Sequence, residues 1–119
     1  MTMLLALLSA LAVQTDPQAM AGGYVATGED GQCRVILMEP ASRPADSRLV
    51  PASTSGLAAA EPGCALALAE AGMWTLLHEE GQLVLTGIGG EPLWTGTAGP
   101  GGSWQGMDAA GANVLLARR

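Results

Sequence analysis

Few residues in this chain are equipped for chemistry. It carries one histidine, two cysteines and eleven carboxylates against five arginines, and it has no lysine. His78 is followed directly by Glu79 and Glu80. A Ser/His/Asp arrangement would have to be built around this single imidazole, and no GxSxG elbow surrounds any serine. Glu79 and Glu80 are adjacent, and consecutive residues at a strand end point to opposite sides, so they read as a solvated turn rather than a catalytic carboxylate pair. Ile88-Gly89-Gly90 and Gly99-Pro100-Gly101-Gly102 are glycine-rich but match no phosphate-binding signature, and they read as turns. Cys33 and Cys64 lie 31 positions apart. Neither belongs to a CxxC pair, and one histidine does not complete a Cys/His zinc site at any recognisable spacing. The expectation is a protein that is not an enzyme, with no cofactor and no metal of its own.

The elements that position these residues begin with a leader. Residues 3–13 read MLLALLSALAV, an apolar run too short to cross a membrane, which needs about twenty residues. The length suits the hydrophobic region of a secretory signal, and Ala10-Leu11-Ala12 offers a small-x-small cleavage site, although Met1-Thr2 supplies no basic residue. Residues 1–12 are therefore expected to be a signal peptide, with a buried N-terminal helix as the competing reading. A lipoprotein signal does not fit, because the first cysteine is Cys33. In an oxidising compartment the even cysteine count makes a Cys33–Cys64 disulfide the default, against two buried thiols.

Beyond the leader the pattern is one of short strands. Tyr24 to Thr27 leads through Gly28-Glu29-Asp30-Gly31 into Cys33 to Met38, where Cys33, Val35 and Leu37 share one face. Residues 39–46 (EPASRPAD) read as a linker, 47–52 as a short strand around Leu49 and Val50, and 53–63 as a loop with a helical turn through Leu57 to Ala60. Residues 64–70 (CALALAE) fit a helical turn by propensity and a strand by alternation. Then Trp74 and Leu76 share a face, and Leu83 to Leu85, Leu93 to Thr95, Ser103 to Gln105 and Val114 to Ala117 follow at intervals bounded by Gly and Pro. Such spacing predicts an all-β fold, a small closed antiparallel barrel of seven or eight strands. The chain has no Phe, so three Trp and one Tyr must fill much of the interior or close its ends.

Composition excludes several classes. The formal charge is −6, with no basic cluster to displace phosphate counterions or to dock on an anionic membrane. Charged residues make up only 13%, too few for an acidic disordered tail.

Ala21-Gly22-Gly23-Tyr24, Cys33, Cys64, Trp74, the hairpin through Glu80-Gly81-Gln82-Leu83, and Trp104-Gln105-Gly106 running to Arg118 stand in a telling order. Over about residues 20–119 this order resembles the bacterial alkaline-protease inhibitor family, secreted or periplasmic inhibitors of serralysin-type zinc metalloproteases. Tyr24 stands where that family usually has Trp, and the region of Trp94 lacks its usual aromatics. The resemblance implies an up-and-down β-barrel of eight strands with one disulfide, acting as a platform for an N-terminal tail that enters the protease cleft. Here the tail would be residues 13–19, with Val13, Gln14, Thr15, Asp16 and Pro17 as the inhibitory residues and the free α-amine placed near the catalytic zinc. An α-amine has a pKa of about 8, so its neutral, ligating form is accessible. A tail of this kind also adds main-chain hydrogen bonds to a cleft strand, and Pro17 stiffens it. The partner would be a secreted zinc metalloprotease, and the inhibitor a monomer without a membrane span. Two other readings compete. One is a cell-envelope binding module that uses Trp94, Trp104 and the 97–102 loop as its contact surface. The other is a small hydrolase using His78.

Overall fold

Alternation of apolar and polar residues becomes strand pairing in the computed structural model, which describes residues 17–40 and 53–119. The expected signal peptide (1–12), tail residues 13–16 and the strand expected at 47–52 lie outside the described residues. The described residues form eight strands: β1 (Gly22–Gly28), β2 (Gly31–Pro40), β3 (Ser53–Ala60), β4 (Ala71–Leu77), β5 (Gln82–Gly87), β6 (Pro92–Ala98), β7 (Trp104–Asp108) and β8 (Asn113–Arg118). Each pairs antiparallel with the next, and β8 returns to β1, so the sheet closes into an up-and-down barrel. Closure gives each of these strands a neighbour on both sides and so protects the edges that an open sheet would expose.

The period-two pattern sends one face of each strand into the bore. Tyr24 and Ala26, then Cys33, Val35 and Leu37, then Trp74 and Leu76, Leu83 and Leu85, Trp94, Trp104, and Val114 and Leu116 are all buried. The three indoles are thus interior, and the inward glycines make room for them. Gly56 is paired with Trp74, and a Cβ there would stand 2.5 Å from the indole nitrogen. A Cβ on Gly96 would collide with the Trp94 ring. The indole donors of Trp74 and Trp94 are satisfied by carbonyls two strands away. Trp74 Nε1 donates to the Met38 carbonyl at 2.8 Å, beside a register shift between β2 and β3, and Trp94 Nε1 donates to the Val114 carbonyl at 2.9 Å.

Residues outside the strands stopper both ends. At the end holding the β1–β2 turn, a 3-10 turn (Ala67–Glu70) packs against β3, β5 and β6 and buries Leu68, with Leu66 beside it. A second 3-10 turn (Pro17–Met20) buries Met20 at the opposite end. The disulfide Cys33–Cys64, with Cα atoms 5.3 Å apart, ties the inner face of β2 to the segment leading into the first stopper.

The stretch from Ser53 corrects the sequence reading, which made it a loop with a helical turn. It is strand β3, whose inward residues are Gly56 and Ala58. Large hydrophobic residues are missing from its inner face because Trp74 occupies the space they would need, so the strand lacks the usual strand signal. Residues 64–70, open between helix and strand, contain the 3-10 turn, and Glu39 and Pro40, expected in a linker, end β2.

This packing generates two stability predictions. Gly96→Ala forces a methyl group against Trp94 and lowers unfolding stability by about 1–3 kcal/mol, measured as a lower urea midpoint. Reducing Cys33–Cys64 releases the constraint on a closed loop of this length and removes about 3–4 kcal/mol, measured by denaturation with and without a thiol reductant.

Candidate functional site

Barrel closure places the last strand beside the first, and the most specific polar arrangement in the described residues lies at that seam. Val114 and Leu116 face inward on β8. The same period brings Arg118 to the mouth of the bore, where it pairs in register with Tyr24 of β1. The Arg118 guanidinium lies 5.0 Å from the centroid of the Tyr24 ring. Its Nη1 donates to the Tyr24 hydroxyl at 2.7 Å, to the Ala21 carbonyl at 3.0 Å and to the Met20 carbonyl at 3.4 Å, while Nη2 donates to the Ala19 carbonyl at 2.6 Å. The Tyr24 hydroxyl in turn donates to the Met20 carbonyl at 2.8 Å. The carbonyls at the end of a helical turn have no partner within it, and here one cation supplies them.

Gly22 permits the approach. Its φ is +139°, a conformation that side chains rarely adopt, and a Cβ there would lie 2.9 Å from Arg118 Nη1. The root of the N-terminal segment is therefore fixed from three directions: Met20 in the core, Tyr24 beneath, and Arg118 across the seam.

Charge is distributed unevenly along the barrel. Glu29, Asp30, Glu61, Glu70, Glu91 and Asp108 occupy the turns and strand ends at the end stoppered by Leu68. Arg118 and Arg119 stand at the other end, beside the segment root, which that end shares with Glu39, His78, Glu79 and Glu80.

The structure separates the residues that sequence reading grouped as candidates. Pro17 opens the 3-10 turn (Pro17–Met20), so the segment from Pro17 is turned rather than extended; Val13, Gln14, Thr15 and Asp16 lie outside the described residues. Cys33 and Cys64 are joined as the disulfide. Trp94 and Trp104, weighed as a contact surface, are buried in the core and do not form one. They face inward because their strands place them on the same side as Gly96 and Gly106. His78 is exposed, with Nε2 2.7 Å from Thr54 Oγ1. No group of three or more His, Cys, Asp or Glu among the described residues could hold a metal ion. No helix among them is long and apolar enough to cross a membrane.

Sequence reading missed the Arg118 cluster. Its available signal was an arginine on the inward register of the final strand, but its acceptors lie almost a hundred residues away and only closure reveals them. Sequence reading also missed an outward apolar ridge. Ile36 and Met38 on β2, Leu57 on β3 and Met73 on β4 project outward, and Leu57 is paired with Met73. Ile88, 95% exposed in the β5–β6 turn, leans over Gly72 to continue it.

Burial raises the Tyr24 phenol above its ordinary value of 10.0, opposed by the nearby Arg118 charge and its hydrogen bond. A raised phenol contributes stability that is fully present below the unfolded value and lost as pH rises through the folded one. Tyr24 is the only tyrosine, so phenolate absorbance reports it alone. The native midpoint is expected above 10.0, with stability declining at higher pH. Arg118→Gln, which removes the opposing positive charge, is expected to move the midpoint higher still.

No family model matches the chain, and no curated protein matches it.

Proposed function

We propose that this protein inhibits secreted zinc metalloproteases of the serralysin type by inserting its N-terminal segment into the protease cleft, from a periplasmic or extracellular location. The observation that carries this reading is the root of that segment. It leaves one end of a closed, disulfide-tied barrel, and its last carbonyls are held by Arg118. A rigid platform with a held root suits insertion, because ordering flexible chain on binding costs affinity. The resemblance running from Ala21-Gly22-Gly23-Tyr24 to Arg118 supports the same reading, and the disulfide fits an oxidising compartment. In this reading the neutral α-amine of Val13 approaches the protease zinc, while residues 14–16 pair with a cleft strand.

Protein beginning at Val13 is expected to inhibit a serralysin-type protease, and inhibition is expected to weaken as pH falls below the amine pKa of about 8. Deleting residues 13–16 is expected to abolish inhibition while leaving the unfolding midpoint unchanged. Full inhibition by the truncated protein would reject the mechanism.

The apolar ridge favours a second reading, a non-inhibitory binding module of the cell envelope, since contiguous exposed apolar surface marks interaction sites. Under that reading Leu57→Glu abolishes binding to envelope fractions, and removal of residues 13–16 has no effect on it.

A further inference from the structure

We propose that Arg118 is a positioning residue for the N-terminal segment: its two terminal nitrogens grip the carbonyls of Ala19, Met20 and Ala21 together with the Tyr24 hydroxyl, so that the segment leaves the barrel in one fixed direction. The inference deepens the inhibitor reading and rests on it for its functional consequence, but the geometry belongs to the described residues alone.

Three features distinguish this grip from ordinary surface packing. The first is the division of labour between the two nitrogens. Nη2 takes the Ala19 carbonyl at 2.6 Å, and Nη1 takes the Ala21 carbonyl and the phenol. A planar fork spans acceptors that the single nitrogen of a lysine does not reach together. The second is relay through Tyr24, which accepts from Arg118 and donates to the Met20 carbonyl. The phenol thereby couples the ring in the core to the chain at the rim. The third is the space left at Gly22, where a side chain would crowd Nη1.

These contacts join the end of strand β8 to the point where the N-terminal segment begins. Residues 19–21 are ordered before any partner arrives, and the segment beyond them starts from one direction. The consequence is affinity gained by pre-organisation rather than by contact with the partner.

The test compares protein beginning at Val13 with its Arg118→Lys, Tyr24→Phe and Gly22→Ala variants, and with Leu83→Val as a core control. Amide relaxation measures order at residues 19–21, and inhibition of a serralysin-type protease measures the outcome. The unaltered protein is expected to give order parameters of about 0.85 at these residues, falling below about 0.6 in Arg118→Lys. Inhibition is expected to weaken about tenfold or more in Arg118→Lys, although that variant keeps its charge, and by less in Tyr24→Phe. Gly22→Ala is expected to follow Arg118→Lys. Leu83→Val is expected to lower the melting temperature while leaving both readouts in place, which separates positioning from general destabilisation.

Unchanged order in Arg118→Lys overturns the proposal, whatever happens to inhibition. Lost order with undiminished inhibition overturns it as well. If the unaltered protein inhibits no such protease, the inhibitor reading fails, and Arg118 is then no positioning residue for inhibition even where the order parameters fall.

Discussion

Indole rings packed into a closed bore set the terms for the rest of this structure. Eight short strands enclose little volume, and a chain without Phe fills it with Trp74, Trp94, Trp104 and Tyr24. A ring of that size needs space beside it, and glycine supplies it at position 56 on the strand next to Trp74 and at position 96 two residues along the Trp94 strand. A buried indole N–H also needs an acceptor, because an unpaired polar group in the interior is costly. The carbonyls of Met38 and Val114 provide it, each from two strands away. The composition of β3 and the shift of register at the end of β2 are intelligible only beside this requirement.

Closure has a second consequence. An open sheet would leave β1 and β8 as edges, whereas here they pair and bring the first and last strands together. Tyr24 and Arg118 become neighbours, and the root of the N-terminal segment is held at their junction. The opposite end carries six carboxylates and the disulfide-tied stopper, so the two ends of the barrel differ in charge and in architecture.

Much of the fold was legible in the sequence. The strands from Gly72 onward, broken by glycine-rich turns, and the alternation through Cys33, Val35 and Leu37 are local patterns that need no distant partner to be read. The cysteine pair was legible by count. Strand β3 was not, since Ser53–Ala60 lacks the large alternating residues that mark a strand. The orientation of Trp94 and Trp104 was not legible either, because a short strand bearing one large aromatic leaves open which face is the inner one. Of the candidate site, Tyr24 and Arg118 were visible as residues but not as a pair.

By itself, then, the sequence determined strand periodicity, turn positions, the acidic balance and the single cysteine pair, all of which are read from composition or from neighbours a few residues apart. Tertiary structure alone decided that β3 is a strand, that the indoles face inward, that the outward apolar residues line up as a ridge, and that Arg118 reaches the carbonyls of Ala19 to Ala21. The physical reason is common to all four. Each depends on which residues meet across the barrel, and those meetings follow from closure and from the volume of the rings inside it, neither of which is encoded in any short stretch of chain.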